Sequence, residues 1–157
     1  MLRKFITFSL LLVIAASCKK DVVADYSAVD KKTIEDYLVA NNLTAQSTSS
    51  GLYYIIEKPG GAVHPTINSS VDAYYRGYLT NGSIFDQYSY SIGKPTFFAL
   101  SGVIKGWQEG LQLIGVGGKI KLLVPSALGY GSAADKVGIP ANSVLVFDIE
   151  LVEIYNQ

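Results

Sequence analysis

Leu145, Phe147, Ile149 and Leu151 recur at every second position, with Asp148 and Glu150 set between them. Successive side chains of a strand point to opposite faces, so this segment fits a sheet with one apolar face and little else. The same period runs through Ile120, Leu122 and Val124 against Lys119 and Lys121, and through Val71, Ala73 and Tyr75 against Asp72, Tyr74 and Arg76. Leu52 to Glu57 is a Tyr/Ile run ended by Pro59-Gly60-Gly61. Asn81-Gly82 between Leu79 and Ile84 reads as a two-residue hairpin turn with both residues at positive φ. Only one strong short helix, Trp107 to Ile114, is available to cover the apolar face. The expected fold is therefore α+β: a curved antiparallel β-sheet wrapped around one short α-helix.

A short helical extension precedes it. Ile34, Tyr37 and Leu38 have helical spacing within Val29 to Leu43, with Asp30 as a candidate N-cap and Asn41-Asn42 as the stop. This helix is expected to pack against the main domain. Thr44 to Ser50 is Ser/Thr-rich and reads as a linker. The chain thus divides into 1–17, a leader; 18–49, a tether and N-terminal helix; and 50–157, the sheet domain. No internal repeat is visible.

The leader has its own chemistry. Arg3 and Lys4 precede an apolar run, Phe5 to Ala16, that is short for a bilayer span and the right length for a signal peptide. Ala15, Ala16 and Ser17 then lead to Cys18, the one cysteine among 157 residues, which has no internal disulfide partner. The ending resembles the lipobox of bacterial lipoproteins, with Ala15 where Leu is commonest. The alternative is an ordinary signal peptidase site with an incidental cysteine. Acyl chains on Cys18 would anchor the protein stably, at about 0.8 kcal/mol per buried methylene. Lys19-Lys20 supply no acidic export signal, which favours an outer-membrane lipoprotein facing the periplasm; surface exposure is the other possibility.

Composition narrows the function. Thirteen basic residues balance thirteen acidic ones. Loss of Arg3 and Lys4 with a leader leaves eleven bases against the thirteen acids, so a concentrated basic face for nucleic acid is not expected. His64, beside Pro65, is the only histidine, which argues against a histidine triad and against a zinc site. Gly115, Gly117 and Gly118 are followed by no P-loop lysine pattern and read as the turn into the Lys119 strand. Asp148, Glu150 and Glu153 are expected on a solvated outer face, paired with Lys119 and Lys121.

One run does not fit mere packing. Val103-Ile104-Lys105-Gly106-Trp107-Gln108-Glu109-Gly110 sets a tryptophan between two glycines at a helix start. Little side-chain bulk is expected beside that indole, which makes it a flat apolar floor suited to a weakly polar ring such as proline.

Five blocks carry a resemblance over about two-thirds of the chain, Gly51 to Tyr155. They are Tyr75-Arg76-Gly77, Gly82-Ser83-Ile84-Phe85-Asp86, Val103-Ile104-Lys105-Gly106-Trp107, Pro125-Ser126-Ala127-Leu128-Gly129-Tyr130-Gly131, and Ile139-Pro140-Ala141-Asn142 leading to Leu145-Val146-Phe147-Asp148. In this order they resemble an FKBP-type peptidyl-prolyl cis-trans isomerase, in a lipoprotein form. The resemblance implies a prolyl pocket with Trp107 as floor. It implies Tyr75, Phe85, Phe98, Val103, Ile104 and Phe147 as walls, Asp86 and Tyr130 as polar rim, and Ile139 on an overhanging loop. It implies proline-containing unfolded or folding polypeptides as substrates, macrocyclic inhibitors of the family as ligands, a membrane contact through the lipid, and no cofactor. Thr96 departs from the family's usual aromatic after Lys94-Pro95, and Gly138 from a branched residue before Ile139. Tyr88 and Tyr90 are candidates to compensate.

The implied chemistry suits these residues. Rotation about an X-Pro amide sacrifices resonance across roughly 18–20 kcal/mol. The twisted bond has a pyramidal nitrogen and a less polar carbonyl, so an apolar box favours it over the planar form, by differential binding alone. Tyr130 is expected to hold a substrate carbonyl. Asp86 has two open roles, orienting the pocket or meeting the carbonyl carbon. A non-catalytic peptide-binding module or holdase using the same cleft is the alternative reading.

Overall fold

The period-two segments become strands, and their order sets the site. In a computed structural model of the chain, residues 25–89, 91, 93–133 and 138–156 are described. The leader, Cys18 and Tyr90 lie outside the described residues. A helix α1 (Ser27–Ala40) comes first, followed by strands β1 (Gln46–Ser47), β2 (Tyr53–Lys58), β3 (Ser70–Leu79), β4 (Ile84–Tyr88) and β5 (Thr96–Ala99). A 3₁₀ turn (Leu100–Gly102) leads to helix α2 (Lys105–Leu111), then β6 (Lys119–Val124), a second 3₁₀ turn (Ser126–Leu128) and β7 (Leu145–Tyr155). The seven strands form one antiparallel sheet in the order β1-β2-β6-β7-β3-β4, with β5 also paired to β3.

The inner face is the expected apolar one. Val71, Ala73, Leu122, Val124, Leu145, Phe147, Ile149 and Leu151 share a core cluster with Trp107 and Leu111 of α2. Helix α2 is shorter than the sequence pattern predicts, ending at Leu111. Its glycines serve a purpose different from the one expected. A Cβ on Gly106 would lie 2.6 Å from Val124 Cγ1, and one on Gly110 would lie 2.6 Å from Leu122 Cδ2. The glycines therefore face the sheet and let α2 seat directly on β6, instead of clearing space beside the indole.

The second face departs from the expectation of a solvated surface. At one end α1 covers it: Ile34 packs with Tyr78, Leu123, Val144 and Val146, flanked by Tyr37, Leu38 and Tyr53. Burial of Ile34 alone is worth roughly 1.5–3 kcal/mol. That cover is why Leu122, Leu123 and Val124 are all buried in succession, as are Leu145, Val146 and Phe147. Beyond the helix the outer face is charged as read. Lys119 Nζ lies 3.2 Å from Glu150, and Lys121 pairs with Asp148, which also takes Arg76 at 2.8 Å. Glu153 is the exception, since it lies across from Asp72 and accepts from the Tyr155 hydroxyl at 3.1 Å.

Three local expectations change. The residue capping α1 is Tyr26, and Asp30 is buried within its first turn. The 44–50 linker contains β1, with Gln46 paired to Tyr54. The Leu79–Ser83 connection bonds Gly82 N–H to Leu79 O (2.8 Å) and Leu79 N–H to Ser83 O (2.9 Å). Only Gly82 of the Asn-Gly pair has positive φ, +87°. This is a three-residue loop, with the Asn81 carboxamide oxygen accepting from Ser83 N–H at 2.9 Å.

Candidate active site

Between α2 and the inner face lies a cavity of about 340 Å³ lined by Tyr75, Phe85, Asp86, Phe98, Gly102, Val103, Ile104, Trp107, Tyr130 and Phe147. Trp107 forms its floor with only 4% of its surface exposed. Three rings stand edge-on to the indole: Phe98 at 5.2 Å and 71°, Tyr75 at 5.3 Å and 81°, and Phe147 at 5.4 Å and 84°. Phe85 completes the wall against Phe147 at 5.6 Å and 83°. Edge-to-face pairs at these spacings are worth about 0.5–1.5 kcal/mol each beyond burial, so the rings brace one another around the cavity. The Trp107 Nε1–H is buried without a hydrogen-bond partner among the described residues. An unsatisfied donor costs about 1–3 kcal/mol, so the position is not optimised for stability.

Each wall has a local cause. Tyr75 and Gly77 stand on the inner side of β3, where Gly77 leaves room for two rings: a Cβ there would lie 2.6 Å from Phe85 Cε2 and 2.8 Å from Phe147 Cε1. Phe85 and Asp86 are sequence neighbours, and a regular strand would send them to opposite faces. The β3–β4 register steps from Gly77↔Asp86 to Tyr78↔Ile84, leaving Phe85 as an extra residue. That bulge lets both side chains line the cavity. Val103 and Ile104 are extended between the 3₁₀ turn and α2. Gln108 holds them there, donating from Nε2 to Val103 O at 2.8 Å and to Ser101 O at 3.2 Å.

The polar groups cluster on one side. Tyr75 donates its hydroxyl to Asp86 Oδ2 at 2.8 Å. Burial, then the bond to Asp86, pushes the Tyr75 phenol well above its usual range. Burial and the Asp86 charge push Tyr130 up as well. Both phenols keep their proton at neutral pH, and Asp86 accepts from that of Tyr75.

Nine of the ten site residues expected from the sequence meet in this cavity. Ile139 is not one of the lining residues; its side chain, 6% exposed, lies in the same core cluster as Trp107 and Phe147. Gly102 lines the cavity without having been expected there, and no sequence pattern marks it. Thr96 is not a lining residue; it pairs with Ala73 in the sheet, and Phe98 supplies the aromatic on that side. Gly138 has φ +82°, where a branched residue would be strained, and sits 3.9 Å from Phe85 Cβ by its own notional Cβ. Tyr88 does not compensate at the cavity. It lies across from Tyr75 and lines a second groove, which shares Tyr75 with the cavity and runs along Arg76, Lys119, Asp148 and Glu150. His64 is exposed, its Nδ1 3.0 Å from Gln112 O. Among the described residues no group of three His, Cys, Asp or Glu side chains is placed to hold a metal ion.

Known proteins resemble this chain in sequence and in fold. The model of a family described as FKBP-type peptidyl-prolyl cis-trans isomerase matches residues 61–152. FkpA of Buchnera aphidicola subsp. Schizaphis graminum is 54% identical over 69% of this chain and 43% of its own length. FkpA of Escherichia coli K12 is 42% identical over 88% of this chain and 50% of its own length. The chain thus spans about half the length of the curated relatives it matches. The crystal structure of Escherichia coli FkpA superposes with TM-score 0.72 at 41% identity, over 85% of this chain and 61% of that one. A peptidyl-prolyl cis-trans isomerase from Pseudomonas syringae pv. tomato superposes with TM-score 0.68 at 30% identity, over 83% of this chain and 96% of that one. On sequence and on fold alike, the chain belongs to the family of FKBP-type peptidyl-prolyl cis-trans isomerases.

Proposed function

We propose that the cavity accelerates cis-trans isomerisation of X-Pro bonds in polypeptides that are folding after export. The observation that carries this is the aromatic box itself, in which Trp107, Tyr75, Phe98, Phe147 and Phe85 enclose a space large enough for a proline ring and its flanking amide. Transfer of the amide from water into this box removes hydration that stabilises the planar, more polar form. The twisted form loses less, so the barrier falls, and each tenfold acceleration needs only about 1.4 kcal/mol of that difference. Tyr130 donates to a substrate carbonyl to fix the bond in register. Asp86 is held by the Tyr75 hydroxyl at 2.8 Å, which favours its role in orienting the rim over direct contact with the carbonyl carbon. The same cavity is the site for macrocyclic inhibitors of the family. A protease-coupled assay on a short Xaa-Pro peptide tests the reading. Catalysis that Trp107→Ala lowers at least tenfold supports it; peptide binding with no rate above background makes the chain a binding module.

The polypeptide is held at a membrane through lipid on Cys18, in the bacterial outer membrane facing the periplasm. Support comes from the leader pattern Arg3 to Ser17. Among the described residues no helix is long and apolar enough to cross a membrane. Cys18→Ala is expected to release the chain into the soluble fraction, and continued membrane association contradicts lipidation.

A further inference from the structure

Asp30 is a carboxylate with 2% of its surface exposed, on the helix that precedes the sheet domain. Burying such a group costs several kcal/mol unless it is hydrogen-bonded or paired. No cation reaches it among the described residues. Among the described residues its side chain is held by one residue far along the chain: Ser126 donates to Asp30 Oδ2 from its backbone N–H at 2.9 Å and from its hydroxyl at 2.7 Å. Ser126 is itself 3% exposed and opens the 3₁₀ turn Ser126–Leu128.

Ser126 is also the anchor of the loop that carries Tyr130. Its carbonyl accepts from Gly129 N–H at 3.0 Å and from Gly131 N–H at 2.9 Å, the residues on either side of Tyr130. Gly131 O in turn accepts from Asn142 N–H at 2.7 Å. Asp30 therefore fixes Ser126, and Ser126 fixes the backbone before and after the cavity tyrosine. Hydrogen bonds to a charged acceptor are roughly twice as strong as neutral ones, which gives this distant carboxylate leverage over a glycine-flanked loop. The family match begins at residue 61, so Asp30 lies outside it.

We propose that Asp30 is a positioning residue for Tyr130, through which helix α1 sets the geometry of the catalytic cavity. The inference rests on the isomerase reading for its effect on rate, and on the loop alone for its effect on mobility. Two measurements on the full chain separate these. The first is kcat/KM on an Xaa-Pro peptide for Asp30→Ala, Asp30→Asn and Tyr130→Phe, and for the double variant Asp30→Ala/Tyr130→Phe. Asp30→Ala is expected to lose about fivefold, Asp30→Asn to stay within twofold of wild type because its amide oxygen still accepts, and Asp30→Ala to add less than twofold in the Tyr130→Phe background. The second is amide hydrogen exchange at Gly129 and Gly131, expected at least tenfold faster in Asp30→Ala than in Asp30→Asn. Ser126→Ala, which loses only the hydroxyl bond, gives a milder form of both effects if Asp30→Ala folds poorly. A loss that is as large without the Tyr130 hydroxyl, or loop amides that exchange at the wild-type rate, overturns the proposal. An inactive wild type whose loop still loosens in Asp30→Ala overturns the isomerase reading and leaves the positioning role intact.

Discussion

Gly77→Ala is the smallest change that should disable the site. Gly77 has ordinary extended backbone with no positive φ, so alanine strains nothing in the main chain and the effect is purely steric. The new methyl would lie 2.6 and 2.7 Å from Phe85 Cε2 and Cζ and 2.8 Å from Phe147 Cε1. Carbon atoms prefer about 3.5–4.0 Å, so each ring must retreat by roughly 1 Å. Neither has room to do so freely: the two rings brace one another at 5.6 Å, and Phe147 is braced against Trp107 at 5.4 Å. Overpacking of this kind costs about 1–3 kcal/mol, or roughly 4–12 °C in Tm at about 4 °C per kcal/mol. The displaced rings are two of the cavity's walls, so on the proposed function kcat/KM in the protease-coupled assay is expected to fall at least tenfold. Gly102→Ala, whose Cβ meets nothing within 4 Å, is the stability comparison and should leave Tm unchanged or slightly raised. A Gly77→Ala protein with wild-type Tm and wild-type rate would refute the argument that these rings are locked in place.

Gly106→Ala should cost about 1–3 kcal/mol in a denaturant titration, because its methyl would press on Val124 Cγ1 and Cγ2 at 2.6 and 2.9 Å and lift α2 with its indole. High pH should weaken the α1 junction: burial, then a bond with Tyr78, pushes the Tyr37 hydroxyl up to about 12. A phenol that holds its proton more tightly when folded contributes stability that is intact below its ordinary value near 10 and is lost as pH rises toward 12. Denaturant midpoints at pH 9 and pH 11.5 should therefore differ more for the wild type than for Tyr37→Phe. Ile34→Ala should cost about 2–5 kcal/mol in the same titration, since Ile34 is fully buried under the second face; a loss under 1 kcal/mol would mean that α1 is not part of the cooperative unit.

What the residues reveal in advance follows from how local their signal is. Strand faces are legible because side-chain alternation is local, and Val71, Ala73, Ile120, Leu122, Phe147 and Ile149 all sit where period two puts them. The cover on the second face is not, because Leu123 and Val146 look like lapses in alternation until Ile34 is seen against them. Asp30 illustrates the same limit. A carboxylate near a helix start resembles a cap, yet its partner is 96 residues away. The meeting of Phe85 and Asp86 in one cavity depends on a bulge, which is a property of strand pairing and leaves no mark in either strand alone. Gly106 and Gly110 are visible as unusual, but only packing shows that they face Val124 and Leu122.

The decisive measurement is the exchange rate between cis and trans resonances of a short Xaa-Pro peptide by NMR, with substoichiometric amounts of the chain. Uncatalysed exchange takes tens of seconds at room temperature. If an apolar aromatic box around Trp107 lowers the barrier, the rate rises in proportion to protein concentration, and Trp107→Leu removes most of the increment while the peptide still binds. Peptide resonances that shift on binding while exchange stays at its solution rate would contradict the account.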